Sequence, residues 1–162
     1  LFYENEFVSK MAKAYLGNRT KEIGSYIEYK FNNNPPGVLS LEELPHSDSW
    51  KRRFKAFCFV TNVSEKNAPF TYVKRSHKDA RWKEDYEYDY YLYESGFTKN
   101  TQYYNLLPSA FYKIYNKNNY DIEVCTGKKG SLLMADTSGL HYATPLIDGY
   151  RVILVRVFGI SS

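Results

Sequence analysis

Three side chains in this sequence are of the types that hold a catalytic metal, and a fourth is of the type that holds a carboxylate. His46 and Asp48 form an H-x-D triplet, His141 follows far downstream, and Arg151 lies ten positions after it. In an extended chain residues i and i+2 point the same way, so an imidazole and a carboxylate can reach one metal from one strand end. The triplet alone says little: with three histidines and 18 acidic residues, roughly one such chain in three carries an H-x-[DE] by chance. The downstream pair gives it weight. Two imidazoles and one carboxylate on one face of a metal, with open positions opposite, are the ligand set of non-haem iron(II) oxygenases. Zinc hydrolysis is possible with such ligands, but it leaves the arginine without a role. A carboxylate at position 48 also favours hydroxylation over halogenation, because a halide needs that ligand position vacant. His77, in KRSHK, reads as a turn or structural residue rather than a ligand.

The spacing from His141 to Arg151 adds a second expectation. The loop PLIDGY (145–150) carries the Asp148-Gly149 turn signal and reads as a hairpin pairing the His141 segment antiparallel with the last strand. With both side chains inward, 143 stands opposite 151 and 141 opposite 153, and Arg151 sits ~6–7 Å of strand rise from the ligand. That suits a short dicarboxylate with one end on the metal and the other on the guanidinium, whose fixed fork pairs carboxylates bidentately.

The elements that must position these residues are mostly short strands. Residues 5–16 read as an amphipathic helix, with Phe7, Val8, Met11, Tyr15 and Leu16 at helical spacing and Gly17 as a stop. SYIEYKF (25–31) alternates as a strand, and NNNPPG (32–37) is a loop by turn chemistry. RFKAFCFVTN (53–62) is apolar on both faces, so it is expected to be covered on both sides. FTYVKR (70–75) returns from the turn NVSEKNAP. DIEVCT (121–126), SLLMADT (131–137) and RVILVRVFGI (151–160) complete the set, the last reading as the longest strand. Residues 80–120 are rich in Tyr, Lys, Asp and Asn and read as an insertion of lid type, within which YEYDYYLYE (86–94) is either a helix or a mobile loop. Several short strands with turn signals between them give an antiparallel fold, mainly β, for which a double-sheet jelly roll is one of the few arrangements.

Composition narrows the class. The 162 residues make one domain. The net charge of +4 is mild, and the basic residues, including Lys51, Arg52 and Arg53, are interleaved with acids or sit at a solvated strand start, so nucleic acid is not an expected partner. No apolar run is long enough for a membrane span, and the start has no signal-peptide pattern. Two cysteines are too few for a disulfide framework, which fits a reducing cytoplasm. The chain starts without Met, directly on a helix, so an N-terminal portion is expected to be missing.

Together these landmarks resemble the phytanoyl-CoA dioxygenase family of iron(II)- and 2-oxoglutarate-dependent oxygenases. HSDSW, FVTNVSEKNAPFTYVKRSHK, KKGSLLMADTSGLHYATP and RVILV stand where that family has H-x-D, a strand ending in -V-EENGP, a PGSHK turn, a -G-LLIFD---H segment and an arginine about ten residues on. The resemblance covers 41–79 and 121–160, and not 80–120. It implies a double-stranded β-helix (jelly roll, cupin-like) with a few flanking helices, and iron(II) on His46, Asp48 and His141. It also implies 2-oxoglutarate chelating that iron with its far carboxylate on Arg151, and dioxygen hydroxylating a small organic molecule while the cosubstrate is decarboxylated to succinate. There are departures. Lys74-Arg75 replace the usual Pro-Gly, which puts the backbone of that turn in question. Ala143 stands where a hydroxyl often helps hold 2-oxoglutarate, and Thr144 is the candidate substitute. A non-catalytic jelly-roll binding module and a cupin-type metalloenzyme that does not use 2-oxoglutarate are the competing readings. The intact triad weighs against the first and the Arg151 spacing against the second. Nothing in the sequence selects a substrate or an oligomeric state.

Overall fold

Among the described residues, nine strands build two facing antiparallel sheets, and a helix lies against the outer side of each. The computed structural model describes residues 2–31, 39–49, 51–78, 104–105 and 108–161. Helix α1 (Glu6–Leu16) comes first, followed by β1 (Thr20–Phe31), β2 (His46–Ser47), β3 (Phe54–Phe59), β4 (Phe70–Val73) and β5 (Tyr104–Asn105). Helix α2 (Pro108–Asn118) then leads to β6 (Ile122–Cys125), β7 (Leu132–Asp136), β8 (His141–Ala143) and β9 (Tyr150–Ile160). One sheet runs β1-β9-β3-β7 and the other β5-β2-β8-β4-β6. This is a jelly roll, as the strand pattern predicted. The loop 32–37 and the Tyr-rich stretch 86–94 lie outside the described residues.

The helix at the start forms where the spacing placed it. The Asn5 side chain accepts the N–H groups of Phe7 and Val8, and Gly17, at φ 92, closes the far end with its N–H on Lys13 O at 2.8 Å. Val8, Ala12 and Leu16 bury against Phe54, Ala56 and Phe158. That packing covers the outer face of β3, while its inner face joins Phe57 and Phe59 to Val155, Val157 and Ile153. Strand β3 is therefore covered on both sides, as its composition demanded. The buried Arg156 locks the arrangement: its guanidinium holds Glu22 through two bonds of 3.0 and 2.7 Å and reaches Ser9 Oγ and the Asn5 carbonyl on α1. Strand β1 begins five residues before the predicted start and, with 12 residues against the 11 of β9, is the longer of the two. A bulge between Glu22 and Gly24 lets it follow β9 for its whole length.

Helix α2 falls inside the segment read as irregular. It buries Phe111 and Ile114 on Val73, Tyr120 and Leu140 behind the second sheet. Its apolar positions are widely diluted by Tyr, Lys and Asn, which hid the helical period from a reading of pattern alone.

The predicted β8–β9 hairpin is not formed. Strand β8 pairs with β2 and β4, and β9 pairs with β1 and β3, in different sheets. The loop 145–150 crosses between sheets because residues 66–67 capture it. Leu146 bridges Asn67, Ile147 N–H donates to Lys66 O, and the Asn67 side chain donates to Asp148 O at 2.8 Å. Residues 143 and 151 are consequently not cross-strand partners; they approach one cavity from opposite sheets.

Two non-glycine turn residues stand in the left-handed region. Arg75, in KRSHK, has φ 66 and Ala68, in EKNAP, has φ 53. The turn after β4 keeps its hydrogen bonds, with Ser76 N–H on Val73 O and Lys78 N–H on Arg75 O. A non-glycine residue there costs ~1–2 kcal/mol of backbone strain, offset in part by the lower entropy of a side-chain-bearing unfolded chain. Arg75→Gly is therefore expected to raise the unfolding free energy by about 0.5–1 kcal/mol, read as a higher urea midpoint. Arg75→Ala should leave it near wild type; an equal gain there would assign the effect to the side chain instead of the backbone.

Candidate metal centre

His46 and His141 stand directly opposite each other across β2 and β8, with ring centroids 4.3 Å apart. Each ring is held by the same local device. His46 Nδ1 bonds Leu44 O at 2.7 Å, and His141 Nδ1 bonds Gly139 O at 2.9 Å. A carbonyl only accepts, so both Nδ1 atoms carry the proton and both Nε2 atoms present a lone pair. Asp48 Oδ1 lies 3.7 Å from His141 Nε2 and 3.9 Å from His46 Nε2, too far for a hydrogen bond. The three donor atoms lie within 4.8 Å of one another, and all three residues are buried. Three lone pairs thus converge with no proton among them, which is the condition a cation relieves. The donor set fits a divalent transition metal with open positions left over.

The surrounding backbone is stitched to hold this corner. Asp48 N–H donates to Thr137 O at 2.9 Å, and the Ser47 hydroxyl donates to Ser138 O at 2.9 Å. Asp136 accepts Ser138 N–H and Ser138 Oγ, shaping the turn that delivers His141. Ser76, fully buried, accepts Leu140 N–H at 2.7 Å and donates to Val73 O at 2.7 Å. Gly139 is required by close approach: a Cβ there would stand 2.7 Å from Ser76 Oγ and 2.9 Å from His77 N. His77 stays outside the cluster, with Nδ1 on the Tyr72 hydroxyl at 3.1 Å. On the other side, buried Lys30 binds Ser40 Oγ, Glu42 and Glu43, fixing the turn that precedes His46.

The triad opens into a cavity of about 420 Å³ between the sheets, walled by Phe57, Phe59, Phe70 and Ile153. Arg151 lines it from β9, nearly fully buried. Its guanidinium donates to Ala68 O and to Glu28 Oε1 on β1, while its Nε is buried without a partner. Ala143 also lines the cavity; Thr144 does not, and its hydroxyl is buried with no hydrogen-bond partner. Among the lining residues that escaped the sequence reading, three are charged: Glu28, Glu42, and Lys55 on β3, whose Nζ lies 2.6 Å from Asp48 Oδ2. A signal for Lys55 was present: a charged residue inside a strand covered on both faces must have a buried partner.

Burial sets the protonation states. Desolvation pulls His141 from 6.5 down to about 3, helped by the neighbouring His46, and desolvation likewise lowers His46 against the pull of Asp48. For Asp48, burial alone would raise the carboxyl, but His141, Lys55 and His46 outweigh it and hold it well below the usual carboxylate range. With both imidazoles neutral near pH 7, Lys55 is the charge that keeps Asp48 ionised.

No family profile and no curated protein matches this chain. Solved structures do. The iron-bound HygX from Streptomyces hygroscopicus aligns with a TM-score of 0.58 at 14% identity, covering 97% of this chain and 65% of that one. The epimerase SnoN in complex with Fe3+, alpha ketoglutarate and nogalamycin RO aligns at 0.63 and 14%, covering 94% and 55%. EctD from S. alaskensis with bound Fe aligns at 0.59 and 16%, covering 92% and 48%. At these identities the shared feature is the fold. The chain spans about a third to two thirds of the length of the first structures it matches, from 32% of EvdMO1 to 65% of HygX.

The histidine shifts have a definite sign. A histidine titrating near 6.5 when unfolded and near 3 when folded makes the unfolded chain bind more protons between those values, so stability falls as pH drops through that window. The metal-free protein should lose stability as pH falls from about 6.5 toward 3, measured by denaturant midpoint, and His141→Gln should shrink that loss. A midpoint flat with pH would contradict the assignment of neutral, buried imidazoles.

Proposed function

We propose that this chain carries the catalytic jelly roll of an iron(II)- and 2-oxoglutarate-dependent oxygenase, of the phytanoyl-CoA dioxygenase-like kind, hydroxylating a small organic molecule. The observation that carries the reading is the triad of convergent lone pairs sharing one cavity with a buried arginine on the opposite sheet. His46, Asp48 and His141 would hold the iron, and Arg151 would take the far carboxylate of 2-oxoglutarate. When bound, the iron supplies the chemistry that lets dioxygen place one atom on the substrate and the other on succinate as the cosubstrate loses carbon dioxide. The chain's own contribution is placement and exclusion. The two carbonyl-anchored imidazoles keep their lone pairs aimed inward. The aromatic walls, with Phe70 packed 5.2 Å from the His141 ring and 5.0 Å from Phe57, keep the space beside the metal dry.

Arg151 is not idle while it waits. Its pairing with Glu28 neutralises a buried cation that would otherwise be costly. A dicarboxylate must displace Glu28 or share the guanidinium with it, and the partnerless Nε offers a second donor for that exchange. Glu28 is a third exposed, so it can turn to solvent when displaced. A binding module without turnover would keep the same contacts, and product formation separates the two readings.

Anaerobic titration with iron(II) and then 2-oxoglutarate should develop a weak visible charge-transfer band. His141→Ala should lose the metal and His77→Ala should keep it. Arg151→Ala should retain the metal but weaken 2-oxoglutarate roughly ten- to hundred-fold, the worth of a charged hydrogen-bonded pair. Glu28→Gln, by removing the internal competitor, should tighten it several-fold. Absence of the band in the wild-type protein would defeat the cosubstrate assignment.

A further inference from the structure

Lys55 is an unusual occupant of its place. It projects from the inner face of β3 into the cavity, with its side chain 11% exposed and that of Asp48 1% exposed. Its inward neighbours along the strand, Phe57 and Phe59, are apolar. A serine or glutamine could also donate to a carboxylate here, and would be desolvated at lower cost than an ammonium. What an ammonium adds is full charge and reach: Nζ meets Oδ2 at 2.6 Å, while Oδ1 is left facing the two imidazoles.

Resting on the metal and 2-oxoglutarate reading above, we propose that Lys55 is the resident counter-ion of the metal-binding carboxylate. It is a positioning residue with three consequences. Before a divalent cation arrives, the ammonium keeps the buried Asp48 paired and turns Oδ1 toward His46 and His141. It competes with that cation for the negative charge of Asp48, so the site binds metal less tightly than its three ligands would alone. Once the carboxylate is shared with a cation, the ammonium adds to the positive charge of a cavity that also holds Arg151, and that charge favours an anionic ligand. Metal affinity is thus traded for anion affinity, and the two ligands are coupled through one side chain.

The test uses cobalt(II) as the metal probe and 2-oxoglutarate as the anion, with Lys55→Met, Lys55→Gln and Lys55→Arg. Lys55→Met should bind cobalt about ten-fold tighter or more, because a like charge beside the cation has been removed. Its metal-free form should melt lower and recover more on adding metal, because Asp48 is left unpaired. Loaded with cobalt, it should bind 2-oxoglutarate about ten-fold more weakly. Lys55→Gln, which keeps a donor without the charge, should shift both affinities in the same directions, and Lys55→Arg should stay near wild type. Opposite shifts of metal and anion are a signature that loss of packing does not produce. If Lys55→Met folds only with cobalt present, the counter-ion role stands. If Lys55→Gln binds metal and anion like wild type, the charge is immaterial and the inference is overturned. If neither wild type nor any variant binds cobalt, the metal reading fails and this inference falls with it.

Discussion

Two imidazole nitrogens and one carboxylate oxygen meet in a buried corner with no proton to share, and much of the molecule is arranged to hold them there. Each imidazole spends its only N–H on the backbone carbonyl two residues before it. The tautomer and the ring orientation of each histidine are therefore set by the turn that leads into its strand, without a supporting carboxylate. The β2–β8 register then brings the two rings together, tilted 58° to each other. Behind them, hydrogen bonds from Ser47, Asp48 and Ser76 pin the backbone of the turns on either side. Such a corner is unfavourable on its own terms, since three acceptors are desolvated together. It persists because the surrounding sheets leave the side chains nowhere else to go and because Lys55 supplies the opposing charge.

The same rule governs the rest of the cavity. Each buried cation near it is matched by an internal carboxylate: Lys55 by Asp48, Arg151 by Glu28, and Lys30 by Glu42 and Glu43. Buried charges are tolerated when paired and bonded, and become costly when one partner is taken away. A ligand entering this space does not meet bare charges; it exchanges partners. Selectivity then depends on how well the newcomer satisfies every group it releases. A neutral molecule that broke the Arg151–Glu28 pair would leave the buried guanidinium unsatisfied, whereas a carboxylate replaces one acceptor by another. The ion pairs of the resting cavity are in this sense a template for the charge of what enters it.

That His46, Asp48 and His141 would converge, and that Arg151 would share their cavity, was legible in the sequence because their residue types are restrictive and their order along the chain is specific. The jelly-roll class was legible because short alternating runs with turn signals have few architectural solutions. What escaped depended on partners far apart in sequence. The Asp148-Gly149 signal favours a hairpin locally, and only the capture of that loop by Lys66 and Asn67 sends it to the other sheet. In β1 the period-2 pattern inverts the usual inference. Tyr26, Glu28 and Lys30 share one face and Ile27, Tyr29 and Phe31 the other, yet the charged face turns inward, while Ile27 remains 63% exposed. A binary pattern predicts the opposite, because it prices charge as solvent-seeking and cannot foresee Arg151 waiting across the strand pair. Lys55 was lost for a related reason: next to Lys51, Arg52 and Arg53 it looks like the end of a basic run, although it is the first residue of that group to face the interior.

The corrected position of Arg151 changes what the cavity can measure. In a hairpin, the distance from metal corner to guanidinium would be a strand rise within one sheet, fixed by covalent geometry. Here the two ends belong to different sheets, β2 and β8 on one side and β9 on the other, and facing sheets pack about 10 Å apart through their side chains. A ligand bound at both ends spans that gap and becomes part of the packing between the sheets. Its length is then read against the separation of two layers whose spacing is set by the cavity's own walls, Phe57, Phe59 and Ile153 on one sheet packed against Phe70 on the other. A bridging ligand that is too short leaves one charge unmatched, and one that is too long must strain the core. Because the two ends come together only in the folded chain, binding stabilises the fold by mass action, so at equal concentration affinity and thermal protection should rank a series of dicarboxylates in the same order.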